Sequence, residues 1–285
     1  MSNTNKAIAR VFPRRTRATP NDGLAFVDCQ PPLLTLPNID EVHISITFSW
    51  DIKKAERLYD MWKAVGVPIK MGGPAFLEPS GEFEPGMYIK RGYTITSRGC
   101  QNNCWFCSVP KREKGLREMA IKDGWNVLDD NLLACSDPHV EAVFSMLSRQ
   151  KERVVFTGGL DAELLKPWHA RRMRELKARH MFFAYDTPDG YEPLVDAGRI
   201  MLSEGHTVAA NSMRCYVLIG YPNDTFSKAE KRLTDTVTAG FMPFAMLYRD
   251  EVGKKDVRWA RFQREWLNPQ IVGTKMKSIR GKSAK

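Results

Sequence analysis

The chain contains no run of eighteen apolar residues, so it offers no candidate membrane-spanning helix. Its start, Met1-Ser2-Asn3-Thr4-Asn5-Lys6, has no apolar stretch behind it, which argues against a secretory signal. A cytoplasmic protein with no membrane association is the expectation. Histidine is scarce, with 5 in 285 residues, and cysteine is little more frequent, with 6. Three of the six cysteines fall within eight residues, a spacing unlike the dense framework of a small disulfide-stapled domain. No tandem repeat and no internal low-complexity segment is present.

At 43% hydrophobic, 27% charged and 10% aromatic, the composition is that of an ordinary globular protein. The length allows one large domain, or one with a small lead-in. The formal net charge of +10 is concentrated between Arg10 and Arg17 and between Lys275 and Lys285. Such ends suit a nucleic acid or another acidic partner, and equally suit solvated, unstructured termini. Phe12 is the only aromatic residue in either stretch that could stack on a base.

Residues 1–40, rich in Pro, Arg and Asn, show no sustained period and read as an irregular basic arm. Residues 41–92 read as a small lead-in and linker. Val42–Phe48 alternates as a strand does, Asp51–Val65 repeats apolar residues at helical spacing, and Pro68–Pro74 forms a second strand and turn. From Tyr93 the pattern is strand, loop, helix, repeated. Strands are expected at Tyr93–Ser97, Asn126–Leu128, Val154–Thr157, Met181–Tyr185, Arg214–Ile219 and Pro243–Tyr248. Helices are expected at His139–Ser148, Ala162–Lys177, Gly190–Glu204 and Ser227–Ala239. Alternating strands and helices make a parallel α/β sheet, and six units are too few for a closed eight-fold barrel. The expected fold is therefore a partial (β/α)6 barrel over residues 93–250, its chemistry at the carboxyl ends of the strands. A C-terminal helix and basic tail would fill residues 251–285.

The first strand of the repeating region runs into Thr96-Ser97-Arg98-Gly99-Cys100-Gln101-Asn102-Asn103-Cys104-Trp105-Phe106-Cys107. The spacing is Cys-x3-Cys-x2-Cys. Three thiolates on one loop can hold three irons of a cubane and leave the fourth open to a ligand. A zinc site would need a fourth ligand, from Cys135 or a histidine, and no second Cys-x2-Cys pair exists. An electron-transfer cluster would normally take four cysteines. A chance grouping of buried thiols is the third alternative.

This motif, with an aromatic before its last cysteine, resembles the signature of the radical S-adenosylmethionine (radical SAM) superfamily. The likeness covers roughly Tyr93 to Tyr248. It implies that Cys100, Cys104 and Cys107 hold a [4Fe–4S] cluster. The open iron would chelate S-adenosylmethionine, and one electron would cleave it to methionine and a 5′-deoxyadenosyl radical that abstracts hydrogen from a substrate. An external one-electron donor of flavodoxin or ferredoxin type is implied with it. Phe106 takes the place of the aromatic whose backbone meets the adenine.

The same resemblance assigns candidates at the other strand ends. Asp129, Asp130 and Asn131 stand where the family receives the methionyl ammonium, in a pattern like that of cobalamin-binding relatives. A carboxylate suits an ammonium, and Asp and Asn are also common caps and turn residues. Gly158 and Gly159 would let a backbone approach the ligand, or would make a tight turn with Asp161 capping the next helix. Asp186 is the candidate acceptor for the ribose hydroxyls, within a sequence that also reads as a turn. Ile219 and Gly220 resemble the family's apolar-Gly element beside the adenine.

Cys29, Cys135 and Cys215 read as small buried hydrophobes. His139, His169, His180 and His206 read as helix and surface residues. His43 lies in Asp40-x2-His43-x2-Ile46, which differs from the cobalamin-ligand motif Asp-x-His-x2-Gly, so no cobalamin module is recognisable. No further cysteine cluster follows Leu247, and no methylthiotransferase-type cysteine triad precedes the motif. The substrate is left open, with RNA or DNA among the possibilities. The rival reading is a non-catalytic iron–sulfur or zinc protein that binds nucleic acid through its basic ends.

Overall fold

A computed structural model describes residues 6–283, and divides them between two parallel sheets, each with its own core. The first five residues of the expected arm and Ala284–Lys285 of the expected tail lie outside the described residues.

The lead-in is larger than the sequence suggests. Its strands are β1 (Ile8–Phe12), β2 (Ala25–Val27), β3 (Glu41–Ser45) and, after helix α1 (Ile52–Trp62), β4 (Ile69–Gly72). They pair in parallel in the order β2-β1-β3-β4. The β3–α1–β4 unit is the expected one. The expectation of an irregular arm is corrected, because β1 is an interior strand of this sheet. Ala9 to Phe12 are buried in succession, so the two-residue alternation that marks a half-exposed strand is missing. Val11, Val42, Ile44, Leu58 and Trp62 form the core between sheet and helix.

The basic stretch of the arm is also largely consumed by internal contacts. Arg10 is buried, ion-paired with Asp22, and donates to the Gly86 carbonyl. Arg14 makes a two-pronged pair with Asp51, both bonds at 2.7 Å.

The second sheet contains all six strands expected from Tyr93 onward. They are β5 (Tyr93–Thr94), β8 (Asn126–Val127), β9 (Val155–Leu160), β10 (His180–Ala184), β11 (Met213–Ile219) and β12 (Met242–Leu247). Every neighbouring pair is parallel and the order is sequential. The helices α3 (Asp137–Ser148), α4 (Pro167–Glu175), α5 (Tyr191–Ser203) and α6 (Phe226–Thr238) connect the strands from β8 to β12. Val127, Phe156, Met181, Phe183, Val217, Ile219 and Ala245 pack against them. The protein is α/β with a six-stranded parallel sheet.

Three local departures have visible causes. The first expected strand divides after Thr94, and β6 (Ser97–Arg98) turns away to pair antiparallel with β7 (Arg117–Glu118). The Thr96 N–H goes to the Asp129 carboxylate instead of a strand neighbour. The expected helix from Ala162 opens as a single 3-10 turn, and α4 begins only at Pro167. A residue before proline is pushed to extended backbone, and proline is favoured at the first helical position. Strand β9 continues through Gly158-Gly159, where its register with β10 slips.

The C-terminus forms α7 (Val257–Leu267) and α8 (Pro269–Ser283) in place of one helix and a loose tail. Trp266, Val272 and Met276 are buried in the main core. The four-residue step from Val272 to Met276 puts both on one helix face. Among the described residues, no helix is long and apolar enough to cross a membrane.

Candidate functional site

The carboxyl ends of the second sheet's strands converge on the loop from Gly99 to Ser108. Gly99 has φ +89°, and a side chain there would collide with the Gly115 carbonyl, so only glycine fits before Cys100. Beyond Cys107 the chain closes into the short helix α2 (Val109–Arg112). Cys100, Cys104 and Cys107 are unpaired and half-buried.

The loop touches four other strand ends directly. From the β8 end, Asn131 Nδ2 donates to Cys100 Sγ at 3.4 Å. From the β9 end, Asp161 Oδ2 accepts from Asn102 Nδ2 at 2.8 Å and from Asn131 Nδ2 at 3.2 Å. The Trp105 ring lies 5.6 Å from Tyr221, after β11, and 6.0 Å from Tyr248, after β12. Phe106 is edge-on to Trp105 at 5.4 Å. The β10 end acts through charge. Burial raises the Cys104 thiol, and Cys107, Cys100, Asp186 and Asp161 raise it further. Burial also raises Cys107, with Asp130 and Cys100 adding to it and the Val109 N–H opposing. Two sulfurs accept backbone N–H groups, Cys100 from Asn102 at 3.4 Å and Cys107 from Val109 at 3.5 Å.

No family model matches this chain, and no curated protein does. Among the described residues, no group of three or more His, Cys, Asp or Glu side chains is gathered around a common point for a metal ion.

The Asp-Asp-Asn run divides into three roles. Asp129 is fully buried and its carboxylate is filled by the chain. It accepts from Thr96 N at 2.6 Å, Thr96 Oγ1 at 2.5 Å and Ser97 Oγ at 2.9 Å. Burial raises its pKa despite those bonds. Asp130 accepts from Gly99 N at 2.9 Å and from Arg112 at 2.5 Å, with Arg98 at 3.5 Å. Both carboxylates thus hold the cysteine loop and have little capacity left for an incoming ammonium. Asn131 differs. Its Oδ1 is buried without a partner among the described residues. Its Nδ2 has two acceptors, which fixes the amide orientation.

Gly158 and Gly159 are not the strand-to-helix turn. A side chain on Gly158 would strike the Asp129 carbonyl, whereas one on Gly159 would meet nothing within 4 Å. Gly158 therefore serves the close approach of β8 and β9, and Gly159 borders open space. Asp161 caps a 3-10 turn through the Glu163 N–H, and not the following helix, which begins at Pro167. Asp186 Oδ1 accepts from Leu218 N at 2.8 Å. Burial, only partly offset by that bond and by Arg232, pushes its pKa up to about 6.

The Ile219 side chain is fully buried in the core, which leaves its backbone as the part available to an adenine. Gly220 is covered by Trp259 of α7. Cys135 and Cys215 are buried and held protonated, Cys135 at about 11 through burial, which agrees with the inert reading. Cys29 is half-buried. His43 meets Glu41 through Nε2 and the Tyr88 hydroxyl through Nδ1, so both nitrogens are occupied. His169 is fully buried, not a surface residue.

Three contributors escape sequence reasoning: Trp105, Tyr221 and Tyr248. Trp105 sits in the motif itself, but only the sheet order reveals its aromatic partners. The lead-in also reaches this end of the sheet. Ser49 Oγ donates to the Glu251 carbonyl at 2.9 Å, and Arg249 stands over the Trp50 ring at 5.4 Å.

Proposed function

We propose that the chain is a cytoplasmic radical SAM enzyme built on a partial (β/α)6 barrel. The observation that carries the reading is the placement of the Cys-x3-Cys-x2-Cys loop across the carboxyl ends of the parallel strands. The donor set fits a [4Fe–4S] cluster: three unpaired thiols on one loop, two of them accepting backbone N–H groups and one an amide N–H. Hydrogen bonds to cluster sulfurs are one of the protein's means of tuning such a group. Cys100, Cys104 and Cys107 would hold it. When bound there, such a group would supply one-electron chemistry, the reductive cleavage of S-adenosylmethionine to a 5′-deoxyadenosyl radical able to take hydrogen from a substrate.

The chain's own residues bind and orient. Asn131 Oδ1, buried and unpartnered, is an acceptor suited to the methionyl ammonium, with the Asp161 carboxylate beside it. This assignment replaces Asp129 and Asp130, whose oxygens already hold the loop. Asp186 Oδ2 accepts no hydrogen bond among the described residues, and is available to a ribose hydroxyl. The backbone at Phe106 and Gly220 lies near the Trp105–Tyr221–Tyr248 aromatic group, a suitable surface for an adenine. An external one-electron donor completes the reading.

The test is the iron and sulfide content of the anaerobically reconstituted chain, with each motif cysteine replaced by Ala in turn. About four irons per chain are expected in the parent protein. Cys100→Ala, Cys104→Ala and Cys107→Ala should each lose most of the iron, and Cys135→Ser should keep it. Full loading in all three motif variants would overturn the assignment.

A further inference from the structure

At the opposite end of the second sheet, the loops entering β9, β10 and β11 border an open concavity of about 340 Å³. Arg153, Arg174, Lys177, Arg179, His180 and His206 line it, and no carboxylate does. Its volume falls at the low end of small-molecule sites, roughly 300–1,000 Å³. Arg174 rests on the Glu204 carbonyl at 3.1 Å, and His206 Nε2 on the Ala170 carbonyl at 2.9 Å. Among the described residues, the side chains of Arg153, Lys177 and Arg179 make no hydrogen bond or ion pair. Among the described residues, His180 Nδ1 is also buried without a hydrogen-bond partner.

The concentration of positive charge is felt within the wall. Burial lowers His180 to about 4, and Arg214, Arg179 and Arg153 contribute. Arg214, on the neighbouring strand, is lowered by burial and by Arg179. A helix carboxyl end attracts cations, which accounts for Arg174 and Lys177 at the end of α4. It does not account for Arg153 and Arg179, which sit at strand entries. Unpaired cations gathered in a concavity repel one another, and an anion relieves that repulsion. Guanidinium groups offer paired donors that match phosphate oxygens.

We propose that this concavity binds a phosphate group, carried by a small phosphorylated ligand or by a nucleic-acid backbone, through Arg153, Lys177, Arg179 and His180. The site is separate from the cysteine loop and stands whether or not that loop holds a cluster. Strand β9 alone spans six residues, which places the two ends roughly 20 Å apart.

The experiment is calorimetric titration of the full chain at low salt with two probes, inorganic pyrophosphate and a single-stranded oligothymidylate of about ten nucleotides. The parent protein is compared with Arg153→Ala/Arg179→Ala. Both side chains are exposed, so the double variant should keep its melting temperature. A second double variant, Arg261→Ala/Arg264→Ala, removes exposed charge from α7 as a control. At least one probe should bind the parent, and the Arg153/Arg179 variant should bind it about tenfold or more weakly. Pyrophosphate alone identifies a small ligand. Oligonucleotide binding that steepens with falling salt identifies a backbone. The proposal is overturned if neither probe binds, if the Arg153/Arg179 variant binds as the parent does, or if affinity falls only in the α7 variant.

Discussion

The Asp130 carboxylate meets the Arg112 guanidinium at 2.5 Å, and both side chains are more than nine-tenths buried. Arg112 follows Cys107 by five residues, and Asp130 also takes the N–H of Gly99, which precedes Cys100. One carboxylate therefore ties together the two ends of the cysteine loop. Breaking a buried pair costs about 3–5 kcal/mol, here an upper figure because Arg112 keeps a longer contact with Glu113 at 3.5 Å. Asp130→Ala should lower stability on that scale in denaturant melts. It should also reduce iron loading, because the loop loses its closure. Asp130→Asn keeps an acceptor for Gly99 and should suffer less. Equal stability of parent and Asp130→Ala would show that the pair does not organise the loop.

Asp129 and Asn131 should separate stability from ligand binding. Asp129→Ala removes the acceptor from three donors and should appear in the melt, by roughly 1–3 kcal/mol for each buried donor left unsatisfied. Asn131→Ala removes the free acceptor beside Cys100. Loss of a charged hydrogen bond there should weaken S-adenosylmethionine binding by about tenfold to a hundredfold. Calorimetry on iron-loaded protein gives the affinity. Unchanged affinity in Asn131→Ala would remove that residue from the site.

The adjacent glycines of β9 should respond in opposite ways. Gly158→Ala drives a methyl group into the Asp129 carbonyl and should cost about 1–3 kcal/mol, as overpacking does. Gly159→Ala meets open space and should leave the melting temperature almost unchanged. A large stability loss in Gly159→Ala would contradict this division.

Asp186 sets a pH dependence. Burial raises its folded pKa from 3.8 to about 6, so the folded state holds the proton more tightly than the unfolded chain does. Its contribution to stability therefore declines as pH rises through that interval, and the deficit persists above it. Asp186→Asn cannot ionise and keeps an oxygen for the Leu218 N–H. The variant should match the parent near pH 4 and exceed it by on the order of 2–3 kcal/mol at pH 7. Melts across pH 4–7 measure the gap, and a constant gap would show that Asp186 does not titrate as stated.

Elements with strong period or punctuation were legible in the sequence. All six strands of the second sheet lie where alternation and turn residues put them, and Cys100–Cys107 lies on the loop after the first. Strand β1 was not legible, because burial on both faces erases the two-residue pattern that would mark it. The basic termini read as loose, yet Arg10 and Arg14 are spent on Asp22 and Asp51, and Val272 and Met276 anchor α8. Charge counted along a sequence does not reveal which partners the fold supplies. The same limit separated Asp129 and Asp130 from Asn131. All three residue types can accept hydrogen bonds, and only three-dimensional neighbours show whose capacity is already used. Arg179 and His180 are adjacent at the entry to β10, but Arg153 comes from the separate entry to β9, so no local spacing could bring all three together.

The central claim is tested most directly by product analysis of S-adenosylmethionine incubated with the reconstituted chain and dithionite, under strictly anaerobic conditions. The account predicts 5′-deoxyadenosine and methionine from the parent protein, and neither from Cys104→Ala. An iron-loaded parent protein that leaves S-adenosylmethionine intact after reduction, or a Cys104→Ala protein that cleaves it equally well, would contradict the account.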